Sequence, residues 1–241
     1  RGDALALGGV VVDATAMVHG DLYTQGSVLA GSSQQLQGEI YAGLGAKTVA
    51  GTQILTTDPP PQVPWGLEVD PWPWPWPPLW AAFAPVAPMA IAADASIDGT
   101  VLPNRRLRVN GSLTLGRAAR LSGAGPKGSP VATDPSPVVV EVTGDLILAR
   151  GAKLGPNVEV IVGGDVSLAS AAELDVTSLY ARGSVTFGWM SRVVGDVVAE
   201  GDLTVGAQAK TQGMLVAGGT AEIQGNAQVS GGLMAQGDVI L

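Results

Sequence analysis

The sequence predicts an all-β fold, a right-handed parallel β-solenoid with about 18 residues per coil and two protruding loops. Three observations lead to this prediction. Glycine recurs at every sixth position, apolar and polar residues alternate between the glycines, and glycine–polar steps recur at every third glycine position. A six-residue strand with one apolar side must coil to bury that side, and three such strands per turn stack as a solenoid.

The repeat is clearest in the C-terminal coils, which we place at residues 138–241. Counting in sixes from Gly183, glycine occupies eight of ten positions, and it supplies the backbone freedom that a sharp corner needs. Two and four residues after these positions the side chains are apolar and are predicted to point inward. They include Val185, Phe187, Val197, Leu203, Val205, Leu215, Ile223, Val229, Leu233, Val239 and Leu241.

The same spacing divides the rest of a single solenoid domain. N-terminal coils are predicted at 1–57, where Gly2, Gly20 and Gly38 recur at intervals of one coil, and looser middle coils at 91–122. About ten coils would give a rod of roughly 50 Å, because neighbouring strands lie ~4.8 Å apart. Polar residues such as Glu200 and Gln212 precede the corner glycines, where left-handed hexapeptide coils usually carry an aliphatic residue. This favours the right-handed sense.

Two segments interrupt the repeat and are predicted to be loops inserted between coils. Residues 58–90 are rich in tryptophan and proline, and residues 123–137 are rich in proline, glycine and serine. Alternating prolines favour polyproline II in the first loop, so its rings point in different directions and cannot all pack on one wall. Either the loop docks on the solenoid or some rings contact a partner. The partner-binding candidates are Trp65, Trp72, Trp74, Trp76 and Trp80.

A second candidate site is basic. Arginines and a lysine are concentrated between positions 105 and 127, with no acid among them, although the whole chain carries a net charge of −8. We expect this patch to wrap one edge of the solenoid, where it either binds the phosphates of DNA or offsets acids on neighbouring coils. Its members are Arg105, Arg106, Arg108, Arg117, Arg120 and Lys127.

Enzymatic chemistry is not expected. His19 is the only histidine and the chain has no cysteine, which excludes Ser–His catalysis, multi-histidine metal sites and thiolate chemistry. Acids such as Asp145, Asp165 and Asp202 follow corner glycines, a pattern of turn chemistry, and calcium-binding repeats are missing. We therefore expect no catalytic residue, no metal, no cofactor and no small-molecule substrate. The sequence also has no apolar run long enough to predict a membrane-spanning helix.

The coils GDVVAEGDLTV and GGLMAQGDVIL resemble two groups of bacterial proteins. One is the β-solenoid modules of type IV pilin-like competence proteins, in which a solenoid is inserted into a pilin fold. The other is the bactofilins, whose solenoids stack end to end into polymers. The resemblance covers residues 1–57 and 91–241 and concerns architecture.

The first resemblance implies a pilus-associated module at the cell surface or outside the cell, with DNA as ligand during uptake and a neighbouring pilin as partner. The second implies a cytoplasmic polymer-forming structural protein. Since the chain begins RGDALAL without methionine, we expect a domain excised from a larger protein.

Overall fold

The computed structural model describes residues 4–6, 8–12, 17–19, 22–24, 28–30, 35–37, 40–42, 55–56, 89–99, 102, 105–123 and 136–241. Within these ranges the regular elements are short β-strands, numbered here in chain order, and the strand pairs are parallel. They stack as a β-solenoid of about 19 residues per turn, so the predicted parallel β-solenoid is confirmed.

The solenoid has three faces, each a ladder of strands from successive coils. Face 1 is a continuous ten-stranded sheet. In stacking order it contains β9 (Met89–Ile91), β12 (Leu113–Leu115), β15 (Leu146–Leu148), β18 (Val166–Leu168), β20 (Val185–Phe187), β22 (Leu203–Val205), β25 (Ala221–Ile223), β28 (Val239–Ile240), β2 (Val10–Val12) and β5 (Val28–Ala30).

Face 2 follows face 1 around each coil. It contains β10 (Ser96–Asp98), β13 (Arg120–Ser122), β16 (Lys153–Leu154), the first parts of β19 (Glu173–Ala181) and β21 (Arg192–Ala199), then β23 (Lys210–Gln212), β26 (Gln228–Ser230), β3 (Met17–His19) and β6 (Gln35–Gln37).

Face 3 closes each coil. It contains β11 (Arg106–Val109), β14 (Val138–Val142), β17 (Val158–Val162), the second parts of β19 and β21, then β24 (Leu215–Ala217), β27 (Leu233–Ala235), β1 (Ala4–Ala6), β4 (Leu22–Thr24), β7 (Ile40–Ala42) and β8 (Leu55–Thr56).

Coils are shortest where the glycine repeat is strict and longer elsewhere. The corner residues Asp202 and Thr220, equivalent in adjacent coils, are separated by 18 positions in the chain. The separation is 19 between Asp165 and Ser184 and 20 between Asp145 and Asp165.

The interior is a narrow column of aliphatic side chains from all three faces. Its largest fully buried members are Phe187, Leu113, Leu115, Leu121, Leu146, Leu148, Leu154, Leu168, Leu174, Leu179 and Leu203.

Two kinds of corner explain the glycine pattern. Between faces 2 and 3, Gly195, Gly213 and Gly231 have φ of +114°, +130° and +133°, which L side chains rarely adopt. Between faces 3 and 1 the glycine is needed for space. The carboxylate of Asp202 accepts a 2.8 Å hydrogen bond from the N–H of Thr220, and a Cβ on Gly219 would overlap the same Oδ1. At this corner the Gly–Asp step therefore couples one coil to the next.

The corner between faces 1 and 2 does not require glycine. Its left-handed residue is usually another type, with φ between +55° and +69°, and the next residue is small and points inward. This differs from the expectation that glycine supplies every corner. The left-handed residues are Asp94, Ala118, Gly151, Ala171, Met190, Gln208 and Asn226.

The order of coils in the stack differs from their order in the chain. β1 pairs with β27 and β2 with β28, so the N-terminal coils continue the stack beyond the C-terminal ones. β8 and β9 lie at opposite ends. The two strands that flank the predicted tryptophan-rich loop in the chain therefore lie far apart in the stack, while the loop itself, within residues 57–88, stays a prediction. Residues 57–88 lie outside the described residues.

Candidate nucleic-acid interface

The sequence-predicted basic patch is distributed over more than one face. Arg106 and Arg108 point outward from β11 on face 3, and both contact Glu141 of the next coil. Arg106 Nε lies 3.5 Å from Glu141 Oε1, and Arg108 Nε donates to Oε2 of the same carboxylate, whose side chain is only 9% exposed. A nearly buried acid therefore balances part of this charge, as the alternative interpretation of the patch anticipates.

Arg105 has a structural contact. It stands at the corner before β11 with φ of +51°, and its Nη2 donates a 3.0 Å hydrogen bond to the carbonyl oxygen of Gly123. Its guanidinium thus joins two coils at the corner between faces 2 and 3. Lys127 lies outside the described residues.

Arg120 belongs to a line of charged side chains that runs along face 2. It is exposed, and it pairs in register with Lys153 of the next coil. Further along the same ladder, Arg192 pairs with Lys210, and both are exposed. Residues on adjacent rungs lie ~4.8 Å apart, so Arg120 and Lys210, four rungs apart, are separated by roughly 19 Å.

A second line follows the corner between faces 1 and 2. Arg117 and Arg150 occupy equivalent corner positions, and the N–H of Ala118 donates to the carbonyl oxygen of Arg150 across the two coils. Two coils further on, the same position holds Trp189, whose side chain is 50% exposed. We call the two lines together the basic edge. It consists of Arg117, Arg120, Arg150, Lys153, Arg192 and Lys210, with Trp189 beside them.

Acids reduce this charge without cancelling it. Glu173 sits between Lys153 and Arg192 in the ladder, and its Oε2 accepts a 2.6 Å hydrogen bond from Lys153 Nζ. Asp175 on the same face and Asp94 at the corner are both exposed. Counting also Asp98 of β10, six cations against four acids leave the basic edge positive, in a chain whose net charge is −8.

The acids that follow corner glycines are used for coil-to-coil hydrogen bonds. Asp145 Oδ1 accepts from the N–H of Asp165, and Asp165 Oδ1 from the N–H of Ser184, at 3.0 and 2.8 Å. These hydrogen bonds join one coil to the next and do not close the turn in which each aspartate lies, so the turn chemistry expected from sequence stays a prediction. In the described part of the chain, no group of three or more His, Cys, Asp or Glu residues could hold a metal ion.

The remaining candidates lie outside the region whose side chains are described. This applies to Trp65, Trp72, Trp74, Trp76 and Trp80, and also to the side chain of His19, although the backbone of His19 belongs to β3. Among the described residues, Trp189 and Met190 together form an exposed apolar corner, each about half exposed. Within the described ranges, no helix has the length and apolar character that a membrane crossing requires.

Sequence reasoning missed two members of the basic edge, Arg150 and Arg192, and it ranked Lys153 and Lys210 only as isolated, weaker candidates. Along the chain they are scattered, and only strand register aligns them with Arg117 and Arg120. Comparison with known proteins gives no further guide, because no family model, curated protein or solved structure matches this chain.

Proposed function

We propose that this chain is a non-enzymatic scaffold module of a bacterial pilus- or surface-associated protein, and that its basic edge binds the phosphate backbone of DNA during uptake. The observation that carries the proposal is the register of Arg120, Lys153, Arg192 and Lys210 on one face of a chain with a net charge of −8. Cations concentrated along one line create a positive local potential, although the net charge of the whole molecule is negative.

The geometry suits contact with a phosphate backbone. Duplex DNA carries one negative charge per ~1.7 Å of its axis, so a line of roughly 19 Å faces more phosphates than it has cations. Arg120, Arg192 and Lys210 are exposed, and their long side chains can each reach a phosphate without a fixed match of spacing. Trp189 adds an exposed ring on which an unpaired base could stack. Binding of this kind is independent of sequence and weakens as salt rises.

The resemblance of the coils GDVVAEGDLTV and GGLMAQGDVIL to solenoid modules of pilin-like competence proteins supports a module carried by another fold at the cell surface. A neighbouring pilin would be the natural protein partner of such an assembly.

The test compares two double variants that remove equal charge. Arg192→Gln/Lys210→Gln changes the basic edge, and Arg106→Gln/Arg108→Gln changes the arginines that contact Glu141. Binding to a fluorescein-labelled duplex is measured by anisotropy between about 50 and 200 mM salt. We expect the first variant to lose about tenfold in affinity and to flatten the log–log salt slope by up to ~1.8, at ~0.9 per phosphate contact.

The second variant should stay within about twofold of the parent protein, because its arginines are already engaged by a carboxylate. Equal losses in the two variants would show that net charge alone drives binding. A parent protein that does not bind the duplex at about 50 mM salt would reject the DNA-binding part of the proposal.

A bactofilin-like structural polymer is the second candidate. The specific observation in its favour is that, in the described part of the chain, β9 pairs with β12 alone and β10 with β13 alone. Their outer edges could receive the last coil of another molecule. Light scattering of the purified chain should then rise with concentration, and a monomer that persists at high concentration would remove this candidate.

A further inference from the structure

An exposed apolar corner lies within the basic edge, between Arg150 and Lys210. It consists of Trp189 and Met190, which are the two most exposed large apolar side chains in the described part of the chain. Single exposed apolar residues are common on soluble proteins, but two adjacent ones form a continuous apolar surface, and such surfaces mark contact sites. The cations on both sides indicate that the contact is with an anionic molecule.

The backbone of this corner is held in place by the neighbouring coils. Met190 has φ of +55°, in the left-handed region, where the other residues of its column are short or polar. Its N–H donates to the carbonyl oxygen of Ala207 at 3.1 Å, and the carbonyl oxygen of Trp189 accepts from the N–H of Ala171 at 2.9 Å. Strained residues of this kind cluster at binding sites. The backbone that carries the indole is therefore ordered before a ligand arrives, which lowers the entropic cost of binding.

Small residues occupy the positions beside the indole. The register of face 1 aligns Trp189 with Ser170 in the coil before it, and with Ala207 and Gly225 in the two coils after it. Arg150 is the equivalent residue one coil beyond Ser170, so it lies two rungs from Trp189, at roughly 10 Å for ~4.8 Å per rung. A base between an indole and a guanidinium needs about 7 Å, because stacked bases repeat at ~3.4 Å. The space over Ser170 is therefore wide enough for one base.

Three cations around the corner are available for phosphates. Within the described residues, Arg150, Arg192 and Lys210 form no ion pair, and all three are exposed. Arg192 and Lys210 pair in register on face 2, and the indole of Trp189 lies at the corner beside that face. A nucleic-acid single strand has phosphates along one side and bases along the other. A line of cations beside an aromatic ring matches this arrangement.

The indole and the cations favour different forms of DNA. Duplex DNA has the higher charge density, so cations alone would bind it more tightly than a single strand. In a duplex, however, the bases are paired and stacked, and exposing one of them costs free energy. Only a single strand offers a base to Trp189 without this cost.

We propose that the basic edge binds single-stranded DNA in preference to duplex DNA, and that one unpaired base is held between the indole of Trp189 and the guanidinium of Arg150. The inference rests on the proposed function, since the same cations bind the phosphates. It adds the class of substrate, an unpaired strand. Sequence preference is expected to be weak, because every base has a face that can stack on an aromatic ring.

The experiment compares two forms of one DNA with the full chain. A fluorescein-labelled oligothymidine of about 16 nucleotides, and its duplex with oligodeoxyadenosine, are titrated by anisotropy at the same salt concentration. We expect the single strand to bind about tenfold more tightly than the duplex. Trp189→Ala should weaken single-strand binding about tenfold and so remove the preference, because stacking on the ring is lost. The salt slope should not change, because no phosphate contact is removed.

Matched variants separate stacking from other effects. Trp189→Phe keeps an aromatic ring and should retain the preference for the single strand. Ile147→Ala removes another exposed apolar side chain, on face 1, and should change neither affinity. Arg150→Gln and Arg117→Gln each remove one cation from the same corner line. Arg150→Gln should reduce the ratio of single-strand to duplex affinity about threefold, through loss of the cation beside the base, whereas Arg117→Gln should leave the ratio unchanged.

The possible failures are distinguishable. Duplex binding without a preference for the single strand would overturn this inference and leave the proposed function in place. Binding of neither DNA would overturn both. Equal losses of the two affinities in Trp189→Ala would reject stacking on the indole.

Phosphatidylglycerol vesicles are a further probe, because a tryptophan beside cations also suits an anionic membrane surface. Vesicle binding that requires Trp189, in a protein without preference for the single strand, would make this corner a membrane contact and overturn the inference. We expect no vesicle binding that depends on Trp189.

Discussion

The outward surfaces of faces 2 and 3 differ although the two faces share one interior. Face 2 carries charged residues in register, from Arg120 to Lys210. Face 3 carries an apolar line in which each residue pairs with the next. Its members are Ile161, Tyr180, Val198, Val216, Met234, Leu5 and Tyr23.

The comparison shows that the direction of a side chain does not decide its burial in a solenoid. Val216 points outward from β24 and yet is 6% exposed, whereas Lys210 on β23 is exposed. Apolar side chains stacked on consecutive rungs cover one another, and charged side chains extend away into water. The outer line of face 3 therefore contributes to stability, while that of face 2 remains available for contacts.

The largest expected effect comes from placing a charge in the apolar line. Val216→Asp should reduce the free energy of unfolding by about 2–4 kcal/mol, because a nearly buried carboxylate would lie between Val198 and Met234 without a partner. Lys210→Asp, the matched change on face 2, should stay within about 0.5 kcal/mol. Urea denaturation measures both. Equal costs would contradict the contrast between the faces.

An intermediate effect is expected inside face 2. Thr211 occupies the inward position that holds leucine or valine in neighbouring coils, and its buried Oγ1 has no hydrogen-bond partner. Thr211→Val should therefore raise the free energy of unfolding by about 1 kcal/mol. Thr204→Val, on the partly exposed outer side of face 1, should change it little. A loss of stability in Thr211→Val would show that the hydroxyl has a role.

The smallest expected change in stability concerns the arginines on face 3. Glu141→Gln removes the carboxylate that contacts Arg106 and Arg108, and since both arginine side chains are 46% exposed, the cost should be about 0.5 kcal/mol. Because Arg106 and Arg108 would no longer contact a carboxylate at position 141, the variant should bind duplex DNA more tightly than the parent protein. Glu159→Gln on the same face is the control for net charge. Equal gains in both variants would show that Glu141 does not restrain the arginines.

The inward pattern was predictable from sequence because it follows local alternation. Val185, Leu203 and Leu233 fall at the expected intervals and are buried. The basic edge was not predictable, because stretches of chain of unequal length separate its successive rungs between Arg120 and Lys210. Only hydrogen-bond register across coils of unequal length brings these side chains into line.

The order of the coils in the stack was not predictable from the sequence either, for a different physical reason. A repeat specifies the phase of each coil, and any two coils of matching phase can stack. Gly9 donates its N–H to the carboxylate of Asp238 at 2.7 Å, although the two residues are 229 positions apart in the chain. The periodicity gave the shape of each coil but no information on its neighbours.

The stacking order also has a mechanical consequence. Tension applied at Ala4 and Leu241 would fall on the ladders that join β27 to β1 and β28 to β2, in the middle of the rod. Parallel ladders of two or three residues would open there first, and the coils on either side would carry little load. The stack would then separate into two parts, one ending at β27 and β28 and the other beginning at β1 and β2.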